Sequence, residues 1–118
     1  MPPKPVYKRG DIILVIFPDS SLRTGKRRPA LVVQADSLQT GLAQVIAAMV
    51  TSRMSRSNHP SRVTVSLSTP EGRRSGLLTD SVVMTDNLAT IADTEIDRVI
   101  GSLPMAEVDA ALRHTLNL

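Results

Sequence analysis

Apolar positions along this chain come in short blocks rather than in long helical stripes. "DIILVIF" (11–17), "PALVVQ" (29–34), "AQVIAAMV" (43–50) and "RVTVSL" (62–67) are rich in Val and Ile and are parted by Gly, Pro, Ser, Asn and Asp. That pattern predicts strands bounded by turns. "GLLTDSVVM" (76–84) predicts a fifth strand and "LATI" (88–91) a short sixth. Several short strands without intervening long helices argue for a small barrel or a strongly bent sheet rather than a parallel α/β sheet.

Helical spacing is confined to the C-terminal quarter. In "TEIDRVIG" (94–101), Thr94 suits an N-cap with Asp97 three residues later, and Ile96, Val99 and Ile100 share one side, which predicts a two-turn helix. "PMAEVDAALRHTL" (104–116) opens on a proline suited to a first turn and places Met105, Val108, Leu112 and Leu116 on one stripe. Such a stripe is core or interface. No repeat, low-complexity segment or linker divides the chain, so residues 1–118 are expected to form one domain, with residues 1–5 as a loose tail.

Composition removes several classes of chemistry. The 118 residues include no cysteine, which excludes disulfides and thiolate metal sites and makes a reducing, cytoplasmic setting the expectation. The blocks "IILVIF" and "VIAAMV" are far short of the roughly 18 apolar residues that a membrane helix needs. The opening segment does not fit a signal peptide. His59 and His114 lack partners at ligand spacing, so no metal and no cofactor is expected. With Tyr7 and Phe17 as the sole aromatics, a base-stacking platform or a proline-peptide groove is excluded.

Charge is distributed unevenly. Residues 1–62 carry ten Lys or Arg against three acids, and residues 63–118 carry four against eight, leaving the net +3. The basic half is the candidate surface for a polyanion, with a solvated face as the plain alternative. Its densest point is "TGKRRPALVVQ" (24–34), where Lys26, Arg27 and Arg28 abut Pro29 and an apolar run.

Taken with "YKRGDIILVIFP", "VIAAMVTS", "GLLTDSVVMTDNLATI" and "VIGSL", that segment resembles the MazF/PemK (Kid-like) toxins of type II toxin–antitoxin systems, in the family's order over residues 7–116. The resemblance implies a mainly β, SH3-like or CcdB-like barrel with a C-terminal helix, and a homodimer. It also implies a metal-independent endoribonuclease that cuts single-stranded RNA and is blocked by a cognate antitoxin.

By the same resemblance, Arg28 matches the family's catalytic arginine and Thr51 its catalytic threonine. Asp86 matches an acidic active-site position, where it would serve as general base or as a turn carboxylate. The arginine that accompanies this acid in the family is Met84 here, another frequent arginine is Ala89, and a glutamate that some members carry is Arg23. Lys26, Arg27, Ser52, Arg53 and Arg56 are the candidate RNA contacts.

The chemistry that would use these groups is attack of the ribose 2′-hydroxyl on its own phosphate, which builds charge on the phosphoryl oxygens. Pro29 suits the start of a strand. It would anchor Arg28 on a rigid element and leave Lys26 and Arg27 on a loop. Two alternatives remain open at this stage: a CcdB-like gyrase inhibitor without catalysis, and a nucleic-acid-binding barrel that has lost it.

Overall fold

The structure is a computed structural model that describes residues 6–18 and 25–118; the expected N-terminal tail and Arg23 lie outside the described residues. It is mainly β with a C-terminal helix, as the strand blocks and the resemblance imply. Six strands, β1 (Asp11–Pro18), β2 (Gly25–Val32), β3 (Gln44–Thr51), β4 (Arg62–Val65), β5 (Ser81–Ala92) and β6 (Ile96–Ser102), form one antiparallel sheet in the order β4-β5-β3-β2-β1-β6. Two helices complete it, α1 (Pro70–Arg74) and α2 (Ala106–Leu116).

Alternation along the strands sorts the apolar residues between two cores. Ile13, Val15, Ala30, Val32, Val45, Ala47, Ile91 and Ile96 pack together. Ile12, Leu31, Ala48, Val50, Val65 and Val83 pack in the other cluster with Val108 of α2. The predicted stripe of α2 contributes there: Met105 and Leu112 flank Val108, whereas Leu116 remains half exposed.

The expected helix over 94–101 is instead a 3₁₀ turn, Asp93–Glu95, followed by the edge strand β6. Pairing with β1 wins over local spacing. Its register runs Val15–Ile96, Leu14–Arg98, Ile13–Val99, Ile12–Gly101, with two irregularities that leave residues 97 and 100 without partners. Bulges of this kind break the period-2 alternation and put apolar residues three or four apart in a strand, which is the spacing that reads as a helix.

Three further boundaries differ from the sequence pattern. The expected strands 76–84 and 88–91 are one strand, β5, preceded by a connector over residues 76–80. Residues 85–87 of β5 bulge out of the β3 ladder, since Met84 faces Met49 while Leu88 faces Ala48. The short helix α1 was not anticipated; its start is fixed by the Thr69 hydroxyl, which accepts the Gly72 N–H at 3.0 Å, and by Pro70 in the first turn.

The strand β2 begins four residues before Pro29, so Lys26 and Arg27 lie on the strand and not on a loop. Pro29 pairs opposite Leu14 of β1, just where the β3 ladder stops at Ala30. A missing N–H is tolerated at such an edge.

Tyr7 packs against the first core and donates its hydroxyl to Asp93 at 2.8 Å. Burial first, then the bond to the Asp93 carboxylate and its charge, push the phenol up to about 12. The folded state therefore holds this proton more tightly than the unfolded chain. The stabilisation is complete below pH ~10 and is lost as pH rises toward 12. Because Tyr7 is the sole tyrosine, a spectrophotometric tyrosinate titration should show a single step near 12. A step at the ordinary value would mean that the Asp93 contact is not made.

Candidate active site

A cleft of about 450 Å³ opens where β2 runs on past the end of β3. The volume is within the roughly 300–1,000 Å³ usual for ligand sites. Its walls come from Leu14 on β1, Arg27, Arg28 and Pro29 on β2, Val50 and Thr51 at the end of β3, and Ser52 and Arg53 just beyond it. The connector before β5 supplies Leu77, Leu78 and Thr79, and β6 supplies Arg98 and Ile100.

The cations in this cleft are not equivalent. Arg27 donates to Asp97 at 2.9 Å, and Arg98 shares the same carboxylate oxygen at 3.0 Å. Among the described residues no carboxylate lies within ion-pair reach of Arg28 or Arg53. Arg28 thus presents a guanidinium fork on an ordered strand, with its charge uncommitted to any described acid. Thr51 closes β3, and its hydroxyl oxygen accepts the Arg53 N–H at 3.2 Å, which leaves its own O–H to donate outward.

Five of the sequence-derived candidates, Arg27, Arg28, Thr51, Ser52 and Arg53, line this one cleft. Lys26 is exposed on β2 and Arg56 ends the 3₁₀ turn Met54–Arg56; neither is part of the wall. Asp86 is outside it as well. It sits on the β5 bulge, where the Arg62 guanidinium grips both carboxylate oxygens, at 2.8 and 3.4 Å. That hydrogen-bonded contact is the main reason its carboxyl lies below the usual range, in spite of some opposing burial.

Sequence reasoning missed Arg98, Asp97 and the Leu77–Leu78–Thr79 wall. The first two were hidden by the helix-like spacing of β6. Leu78, 93% exposed on an ordered connector at the cleft, carried no signal, because a lone leucine in an apolar block reads as core. Among the described residues no three His, Asp or Glu side chains are placed to share a metal ion. No helix of the described residues is long and apolar enough to cross a membrane.

The fold and the site define a small antiparallel sheet with a cationic, hydroxyl-edged cleft. The family profile described as PemK-like, MazF-like toxin of type II toxin–antitoxin system matches residues 8–116. The chain belongs to that family. It is 36% identical over 105 residues to Endoribonuclease MazF2 of Mycobacterium bovis, covering 86% of this chain and 88% of the relative. The same figures hold for Endoribonuclease MazF6 of Mycobacterium tuberculosis.

Solved structures share the fold. One is an endoribonuclease in complex with its cognate antitoxin from a mycobacterial species, with a TM-score of 0.70 and 24% identity, covering 96% of this chain and 97% of that one. Another is the Mycobacterium tuberculosis toxin MazF-mt6, with a TM-score of 0.69 and 23% identity, covering 92% and 97%.

Proposed function

We propose that the chain is a sequence-specific endoribonuclease, the toxin of a type II toxin–antitoxin system, acting on single-stranded RNA without a metal. The observation that carries this reading is the convergence of Arg28 and Thr51, from two strands, on one cleft in which Arg28 has no described acidic partner. The curated endoribonuclease relatives support the reaction class.

In the proposed reaction the 2′-oxygen forms a bond to the neighbouring phosphorus and the bond to the 5′-oxygen breaks. The products are a 2′,3′-cyclic phosphate and a free 5′-hydroxyl. The 2′-proton is lost and one is returned to the 5′-oxygen, with solvent as the proposed carrier; the described residues lining the cleft include no carboxylate or imidazole. Arg28 donates to the phosphoryl oxygens as their charge grows, where a preorganised donor is worth on the order of 3 kcal/mol. The Thr51 O–H places the same phosphate.

Arg53, Ser52 and Arg27 line the path of the chain through the cleft, with Lys26 and Arg56 on its flanks. Contacts of this kind hold any sequence and weaken with salt. The proposed partners are a cognate antitoxin with acidic segments, which would occupy this basic cleft, and a second copy of the chain in a homodimer. The proposed setting is the cytoplasm.

The test is incubation of purified protein with single-stranded RNA in EDTA, followed by analysis of the ends. Cyclic-phosphate termini are the expected result. Intact RNA across many sequences, with gyrase inhibited instead, would replace this reading with a non-catalytic toxin. RNA bound but never cut would leave a binding barrel.

A further inference from the structure

Outside the cleft, an ion pair joins the turn after β3 to the start of β4 and the bulge of β5. Arg62, the first residue of β4, makes three side-chain bonds there. Its Nε and Nη2 hold the two oxygens of Asp86, and its Nη1 donates to the Arg56 carbonyl at 3.2 Å. That carbonyl ends the 3₁₀ turn Met54–Arg56. The other end of the same turn is tied by the Arg53 N–H to the Thr51 hydroxyl. The segment that carries Arg53 and Arg56 is therefore suspended between a cleft residue and Arg62.

We propose that Arg62 and Asp86 act as one brace that sets the position of turn 53–57 beside the cleft, and that this, rather than proton abstraction, is the part Asp86 plays. The inference rests on the reading of the cleft as an RNA site.

The bulge gives the brace a fixed footing. The Thr85 N–H and hydroxyl both reach the Ser61 carbonyl, at 3.0 and 2.6 Å, and the Thr85 hydroxyl also pairs with Thr115 of α2. Ser61 is itself buried, and its N–H donates to Nδ1 of His59. Residues 59–62 and 85–86 are thereby locked to each other, and the guanidinium spans the remaining gap to Arg56.

The pair is only partly shielded, with side chains 21% and 33% exposed, so its weight comes from the two-point geometry more than from burial. Wholly exposed pairs contribute little. A two-point grip fixes a planar guanidinium in orientation as well as place, so removing Asp86 would release the Arg56 carbonyl even with Arg62 intact. Both Asp86 oxygens are already engaged, and its carboxyl lies low, a poor arrangement for a general base.

The experiment compares Arg62→Met, Asp86→Asn and the double variant by RNA cleavage kinetics and by amide hydrogen exchange at Arg56 and Ser57. The N–H groups of these two residues bond within the turn, to Arg53 and Met54. Each single variant should raise KM about tenfold and leave kcat within about threefold, and the double variant should match the singles, because one unit has been removed. Exchange at Arg56 and Ser57 should quicken in all three, while amides of the β3–β5 ladder stay protected.

A fall in kcat of roughly 100-fold in Asp86→Asn, with exchange at the turn unchanged, would overturn the brace and make Asp86 a reacting group. Additive effects on KM, or opposite effects of the two single variants, would overturn it too. Should Arg62→Met fail to fold, the near-isosteric Asp86→Asn carries the test alone. If the wild type cuts no RNA, the exchange readout still decides the brace, and only the reading of the cleft fails.

Discussion

Arg28→Ala is expected to lower kcat for RNA cleavage by about 10²–10³-fold, the loss that follows removal of one preorganised donor to a developing oxyanion. The reason for singling out Arg28 is its electrostatic situation. Arg27 and Arg98 both spend charge on Asp97, so their truncation should mainly raise KM and flatten the salt dependence. Arg28 is exposed in the cleft without a described acid, so its truncation should leave the melting temperature almost unchanged. Arg28→Lys should recover little, because an ammonium cannot offer two parallel donors to one phosphoryl group. Single-turnover kinetics at saturating RNA reads the chemical step directly. A kcat in Arg28→Ala within a few-fold of wild type would remove Arg28 from catalysis and leave it an RNA contact.

Much of this site could be read before the structure, and the parts that could not share a physical cause. Arg28 and Thr51 were singled out by the family resemblance; in the structure Thr51 closes β3 and Arg28 lies within β2, and both line the cleft. The Val- and Ile-rich blocks also located β1 and β3 to within a residue or so. What the pattern hid was produced by bulges. Two irregularities in the β1–β6 pairing gave β6 a helical spacing and concealed Arg98. A third, at residues 85–87, carried Asp86 out of the ladder and toward Arg62. Such features depend on which strand lies alongside, a long-range fact that local periodicity does not contain. The position of Arg62 illustrates this: Met84 stands where the family resemblance expects an arginine, and the residue facing it across the β4–β5 pair is Arg62.

Gly76→Ala is expected to be the most damaging small substitution near the cleft. Gly76 opens the connector that brings Leu77, Leu78 and Thr79 to the wall, and it adopts φ +74°. A methyl group there would lie 2.0 Å from the Ile100 carbonyl oxygen on β6. The neighbour is backbone and cannot turn aside. Ile100 is itself part of the cleft, so the strain falls on the junction of two walls. The left-handed conformation costs about 1–2 kcal/mol for a non-glycine residue, and overpacking typically adds about 1–3 kcal/mol. A loss of about 3 kcal/mol is a large part of the roughly 5–15 kcal/mol that holds a domain folded. Gly41→Ala is the matched control: its φ is +76°, yet nothing lies within 4 Å of the added methyl. It should therefore cost only the conformational part. Thermal melts of the two variants should place Gly76→Ala well below Gly41→Ala, with cleavage weakened in the former even at temperatures where it remains folded. Equal melting temperatures would show that the connector can draw back from β6, and the cleft would then be wider and softer than its backbone contacts require.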